Sequence, residues 1–228
     1  MKKYAFLLAA LLSFAAMSAE VKDYSLKIGE FTELTVVDGI NVVYSCDADR
    51  AGEAEFTCEP DMSSEISFQC NNHKLKIELT GEQPLPGLPT VTVYSSAITK
   101  ISNWGDSTIT VERVNPSAEF VAEVIGNGSV VARDVHVTKA EAAIKSGNGR
   151  IFITGIAQTV KLVNCGTGAV EAGGLEGQKV KVNMLGTGSV DCHPAEELTV
   201  TGAGGKVYYR GAPKIKNRTV GVKIIPMD

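Results

Sequence analysis

From Trp104 onward, short runs of alternating apolar and polar residues each begin just after a glycine-bracketed turn. The turns are Gly126-Asn127-Gly128, Gly147-Asn148-Gly149, Gly166-Thr167-Gly168, Gly186-Thr187-Gly188 and the looser Gly202-Ala203-Gly204-Gly205. Their first glycines lie 21, 19, 20 and 16 residues apart. A period of about 20 residues marks a solenoid. Two residues beyond each turn, and beyond Ser107 in the first repeat, stand Ile109, Val130, Ile151, Val170, Val190 and Val207, all β-branched. Two further on come Val111, Ala132, Ile153, Ala172, Cys192 and Tyr209, and three beyond those Val114, Val135, Ile156, Leu175, Ala195 and Ala212. This is a strand of period two followed by a corner. A second strand precedes each turn, carrying Phe120, Ala122 and Val124, then Val160 and Leu162, then Val180, Val182 and Met184, then Leu198 and Val200. Before Gly147 the inward set shifts to Ala140, Ala142 and Ile144, which predicts a bulge.

A unit of this size has one apolar row and nothing to bury it against, so the next unit must lie on top. Equivalent strands then run parallel at a spacing of about 4.8 Å and like side chains form columns. The expected fold is all-β, a parallel β-helix over residues 90–228 with about 20 residues per coil. Glycine suits the sharp edge because a positive φ is needed there. Residues 20–83 read differently. Runs from Leu34 to Val37, Ile40 to Cys46, Glu53 to Cys58, Ile66 to Cys70 and Leu75 to Leu79 alternate with polar turns, and Asp38-Gly39 is a hairpin signal. They predict an N-terminal β meander capping the helix. The stretch 84–89, Pro-Leu-Pro-Gly-Leu-Pro, is a stiff connector. At the far end, Val220 to Ile225 are expected to cover the last coil.

Composition narrows the function. The chain has 228 residues, 44% hydrophobic and 21% charged, enough to bury a core. Its 23 glycines follow no Gly-x-y period, so they mean turns rather than collagen. Residues 1–19 carry Lys2 and Lys3, an apolar run from Tyr4 to Ala16 and small residues at the end, the layout of a secretory signal peptide. That apolar run is shorter than a bilayer span needs. The mature chain is therefore expected to be exported to the periplasm, outer membrane or cell surface with no transmembrane span. Net charge is −4, and more negative once Lys2 and Lys3 leave, so no nucleic-acid partner is expected. Five cysteines leave at least one thiol unpaired; Cys46, Cys58 and Cys70 share a segment that could hold one bridge, and Cys192 falls on a core row. Without a CxxC pair, and with His73, His136 and His193 scattered, neither a metal site nor a cofactor is expected.

Phe31 to Tyr44 with its Gly39-Ile40-Asn41 triplet, the glycine ladder, and Tyr209-Arg210-Gly211-Ala212-Pro213 occur in that order. Together they resemble the head GIN domain family of autotransporter-type adhesins, over essentially the whole mature chain. The resemblance implies a right-handed β-helix, export from a Bacteroidetes-like bacterium, a role in adhesion, and no catalytic residues to carry over. The chain departs from the family in placing Asn or Thr between the glycines and in its Cys46, Cys58 and Cys70.

The register also assigns outward positions. One row is Thr110, Val131, Phe152, Glu171, Asp191 and Tyr208; the next is Glu112, Arg133, Thr154, Gly173, His193 and Arg210. Phe152, Glu171, Asp191, His193, Tyr208 and Arg210 form the densest mixed patch, the candidate binding surface. Adjacent carboxylates suit cation binding or acid–base work on a sugar; equally they form a solvated face relieved by His193 and Arg210. Val131 and Phe152 make an apolar strip for a partner, a glycan ring or a covering segment, and Trp104 stands at a turn. The expected function is an exported, non-enzymatic surface or envelope binding protein recognising a glycan or protein, with oligomerisation open. A polysaccharide-acting enzyme using Glu171, Asp191 and His193, and a periplasmic scaffold, are the alternatives.

Overall fold

The computed structural model describes residues 21–81 and 86–227. The expected signal peptide at 1–19, and Pro84 and Leu85 of the connector, lie outside the described residues. The chain runs β1 (Lys22–Lys27), β2 (Glu33–Val36), β3 (Val42–Cys46), β4 (Glu53–Cys58), a helical turn α1 (Pro60–Ser63), β5 (Ile66–Asn71), β6 (Lys74–Leu79), β7 (Val91–Ser95), β8 (Lys100–Asn103) and β9 (Thr108–Val111). There follow β10 (Ser117–Ile125), four long bent strands β11 (Ser129–Ser146), β12 (Arg150–Asn164), β13 (Ala169–Met184) and β14 (Ser189–Ala203), then β15 (Lys206–Tyr209), β16 (Lys214–Val220) and β17 (Lys223–Pro226). Each long strand bends at a corner. Its first part follows one glycine turn and its last part leads to the next.

The predicted column exists and is longer than expected. Parallel pairing stacks Val91, Val42, Ile109, Val130, Ile151, Val170, Val190, Val207 and Ile224 in one line. All but Ile224 are buried to within 1%. On the pre-turn side Leu75, Leu34, Ile101, Ala122, Ala142, Leu162, Val182 and Val200 make a second column. Burying one such side chain contributes about 1.5–3 kcal/mol, and each needs a coil on both sides to do so. The shifted inward set Ala140, Ala142 and Ile144 is buried, and a bulge does break the register between Val124 and Ile125.

The corner row is corrected. Val114, Val135 and Leu175 are buried, but Ile156 is 56% exposed and Ala195 and Ala212 face solvent. Val135 lies opposite Gly155, and Gly155 opposite Leu175, so Gly155 takes the corner and Ile156 falls one position past it.

The N-terminal segment divides between cap and stack. β1 pairs antiparallel with β4, β4 with β7 and β5 with β6, which closes that end of the solenoid. β2 and β3, expected in the meander, instead form a coil of their own. β2 lies parallel between β6 and β8, and β3 parallel between β7 and β9. Asp38-Gly39 is therefore no hairpin turn, because β2 and β3 pair with other coils rather than with each other. The Gly39-Ile40-Asn41 triplet is this coil's turn. Ile40 is fully buried, the Asn41 carbonyl accepts from Val91 N–H at 2.9 Å, and its side-chain oxygen accepts from Thr108 N–H at 2.9 Å. One residue thus ties its coil to the coils below and above.

The expected cover from Val220 to Ile225 is itself a coil: β16 stacks on β14 and β17 on β15. Lys214, Lys216 and Arg218 along β16, and Pro226 in β17, blunt the outer edge. All five cysteines are free, so no bridge joins Cys46, Cys58 and Cys70. Cys46 lies opposite Ser95 at one end of β7; β4, which places Glu55 opposite Thr92, carries Cys58 off the other end, and Cys70 faces the carbonyls of Gly29 and Glu30.

Glycine is needed at the turns for two reasons. Gly126 and Gly147 have φ of 114° and 82°. Gly168 does not have positive φ, but a Cβ there would overlap the carbonyl oxygen of Gly149 one coil below. Two turns also contain a buried asparagine that the hydrophobic pattern does not reveal. Asn164 donates to the carbonyls of Gly168 (2.9 Å) and Ser189 (3.0 Å) and accepts from Gly166 N–H (3.0 Å). Asn103 repeats this with Ser107 (2.8 Å), Ser129 (3.0 Å) and Gly105 N–H (3.0 Å). Removing such a side chain strands buried backbone groups, at about 1–3 kcal/mol. Asn164→Ala is therefore expected to lower the thermal midpoint by several degrees, while Thr187→Ala at an exposed turn position leaves it nearly unchanged; equal midpoints for the two variants in a calorimetric scan would contradict this role.

Candidate functional site

The outward row is continuous as expected. Thr110, Val131, Phe152, Glu171, Asp191 and Tyr208 are consecutive register partners, with Ile225 next above. The neighbouring row is interrupted. Thr154 lies opposite Gly174, and His193 opposite Glu176, because the register shifts at the Gly173-Gly174 corner. Of the six candidate residues, Phe152, Glu171, Asp191 and Tyr208 share one column and Arg210 reaches it; His193 makes no hydrogen bond or ion pair with either carboxylate among the described residues.

Each carboxylate has its own arginine. The Arg150 guanidinium grips Glu171 with both arms, Nε at 2.8 Å and Nη2 at 2.6 Å. Arg210 Nη1 stands 3.3 Å from Asp191 Oδ2. That second pair lies over Gly173, whose missing side chain leaves the space: a Cβ there would collide with both the guanidinium and the carboxylate. Asp191 Oδ1 is buried without a hydrogen-bond partner, and burial raises the Asp191 pKa against the pull of Arg210. Arg150 was missed because it stands opposite Ala169, outside the Glu171 column. The available signal is diagonal: residues two along on the adjacent strand remain within reach of a long side chain.

Phe152 and Val131 are half-buried, and the Arg133 guanidinium sits 5.7 Å above the Phe152 ring. Trp104 is 50% exposed at its turn. Beside the column, along the glycine turns, runs an open groove of about 410 Å³ whose walls include Arg150, Thr167, Thr187, Lys206 and Tyr208. Hydroxyls, cations and one phenol ring over a shallow floor suit hydrogen bonding and stacking on a polar ligand more than enclosure of a reacting bond. Among the described residues, no group of three or more His, Cys, Asp and Glu side chains could hold a metal ion.

Residues 30–213 match the family described as "Putative auto-transporter adhesin, head GIN domain". The chain belongs to the head GIN domain family. Its GIN triplet is the turn of the inserted coil, and the match ends at Pro213, one residue before β16. Solved structures share the fold at low identity. A protein of Bacteroides fragilis named a putative adhesin superposes with a TM-score of 0.81 at 20% identity, over 92% of this chain and 98% of the other. One of Parabacteroides distasonis with the same name gives 0.73 at 16% identity, over 92% and 97%. Another from that organism, named a putative lipid binding protein, gives 0.72 at 15% identity, over 92% and 98%. No curated protein matches the sequence. Among the described residues of this head GIN domain, no helix is long and apolar enough to cross a membrane.

The Asp191 environment has a pH signature. A carboxyl whose pKa is higher folded than unfolded binds protons more tightly in the native state, so stability falls as pH rises from the ordinary aspartate value to the raised one. Arg210→Ala removes the opposing cation and is expected to raise the Asp191 pKa further, read from its side-chain carboxyl resonance in an NMR titration. An unchanged or lowered pKa would mean that Arg210 does not govern this carboxylate.

Proposed function

We propose that this head GIN domain protein is an exported, non-catalytic surface or envelope binder that recognises a glycan or protein through the outer faces of its solenoid. The leader-like segment at 1–19 supports export. Membership of an adhesin-type family, and solved relatives that carry the adhesin name, support recognition as the role. The observation that carries the reading is the state of the candidate carboxylates. Glu171 is held by Arg150 and Asp191 by Arg210 on an open sheet face. Acid–base glycoside cleavage needs its two carboxyls to flank a sugar held in a cleft, whereas these stand side by side on one open sheet face. Two arginine-held carboxylates instead form a patterned polar surface, flanked by the rings of Phe152 and Tyr208 and bordered by the turn groove.

Binding and turnover separate the readings in a single assay. On a panel of polysaccharides and surface glycoproteins, the mature chain is expected to bind without shortening any polymer. The double variant Phe152→Ala/Tyr208→Ala should weaken that binding about tenfold, roughly 1.4 kcal/mol, while its circular dichroism remains that of the folded wild type. Release of oligosaccharides that Glu171→Ala or Asp191→Ala abolishes would replace this function with catalysis.

A further inference from the structure

The protein is acidic overall, yet one side of the solenoid is not. The strands leading into the glycine turns place two outward rows side by side. One contains Lys139, Lys179 and Lys214 with Glu119 and Glu197; the other contains Lys161, Lys181 and Lys216 with Glu141. Two of the glutamates are committed. Glu141 pairs with Lys161 at 3.0 Å and Glu197 with Lys216 at 2.8 Å. Among the described residues, Lys139, Lys179, Lys181 and Lys214 have no carboxylate within 4.0 Å. Lys139, Lys161, Lys179 and Lys181, together with Glu119 and Glu141, wall a groove of about 310 Å³ floored by Ala140 and Val160. The post-turn side also carries cations, but there Arg150 and Arg210 are engaged by Glu171 and Asp191.

We infer that this lysine-walled groove is a second binding surface, independent of the Phe152/Tyr208 patch, and that its ligand is a linear acidic polysaccharide. The stacking fixes the charge spacing: neighbouring coils are about 4.8 Å apart, and residues two along a strand about 7 Å apart. Lys139, Lys161 and Lys181 stand on three successive coils and Lys179 and Lys181 on one strand; the next coil places Glu197 and Thr199 in these rows, and Lys214 and Lys216 follow beyond it. A polymer with an acidic group on successive sugars meets a cation on each of the three coils β11, β12 and β13 as it runs along that axis. Glu119, Glu141 and Glu197 are interleaved among the lysines, which penalises the denser charge of a nucleic-acid backbone, about one phosphate per 1.7 Å of duplex. The groove runs across the coils of β11, β12 and β13 as a recess rather than a plane, which fits a chain better than a bilayer surface.

Affinity electrophoresis of the mature chain through polygalacturonate or neutral dextran tests this, alongside co-sedimentation with phosphatidylglycerol vesicles and a shift assay with duplex DNA. The expected result is retardation by polygalacturonate alone, weakened at least tenfold by Lys139→Gln/Lys179→Gln/Lys181→Gln and by raising salt from about 20 to about 200 mM. Tyr208→Ala should leave it unchanged, and a thermal scan should show the triple variant folded as the wild type. Absence of retardation, equal retardation of wild type and triple variant, equal retardation by dextran, or preference for vesicles or DNA would each overturn the inference. If polygalacturonate binding fails while recognition sensitive to Phe152 and Tyr208 persists, only this inference falls; if neither binding is seen, the proposed function falls with it.

Discussion

A coil of about 20 residues cannot bury its own apolar row; only the coils above and below can do so. Everything else in the structure follows from that constraint. The backbone hydrogen bonds must run between coils rather than within them, so the strands are parallel and their side chains form columns. The turns must let one coil lie directly on the next, so glycines stand where a Cβ would strike the carbonyl below. Buried asparagines at Asn103 and Asn164 complete the hydrogen bonding of backbone groups on the inner side of two turns.

The same constraint makes the two ends a problem, and they are solved differently. At the N-terminal end, antiparallel strands cover β6 and β7. At the C-terminal end the outermost coil is narrowly apolar and edged with Lys214, Lys216, Arg218 and Pro226. The coil formed by β2 and β3 adds a feature that simple winding does not produce. It lies between two coils that come later in the chain, so it is enclosed only when residues 74–77 and 100–103 have both arrived. Such non-local pairing must overcome loop-closure entropy before it is rewarded. The GIN triplet holds that junction through Asn41, so its role in this chain is to join coils.

The solenoid was legible because its glycine period and β-branched positions repeat over several coils, so that errors in one are outvoted by the rest. The place of β2 and β3 was not. Their alternation is the same in a meander and in a coil, and only long-range register decides between them. Ile156 misled for a local reason: a glycine two residues past Ile153 shortened the corner. The outward column was also legible, since Phe152, Glu171, Asp191 and Tyr208 occupy equivalent positions. Arg150 escaped because it reaches Glu171 diagonally, and His193 was misplaced because Gly173 and Gly174 shift the register between them. The lysine rows escaped because alternation marks which face a side chain takes and not whether its charge is paired.

Rigid columns inside and variable rows outside make this fold a ruler on which surface chemistry can change without disturbing the core. That account stands on the stacking order, including the inserted coil. Methyl NOE spectroscopy on a deuterated, Val/Ile-labelled sample tests it most directly. The account predicts one unbroken chain of contacts from Val91 to Val42, Ile109, Val130, Ile151, Val170, Val190 and Val207. A spectrum in which Val42 contacts neither Val91 nor Ile109, or in which Ile151 lacks both Val130 and Val170, would contradict it.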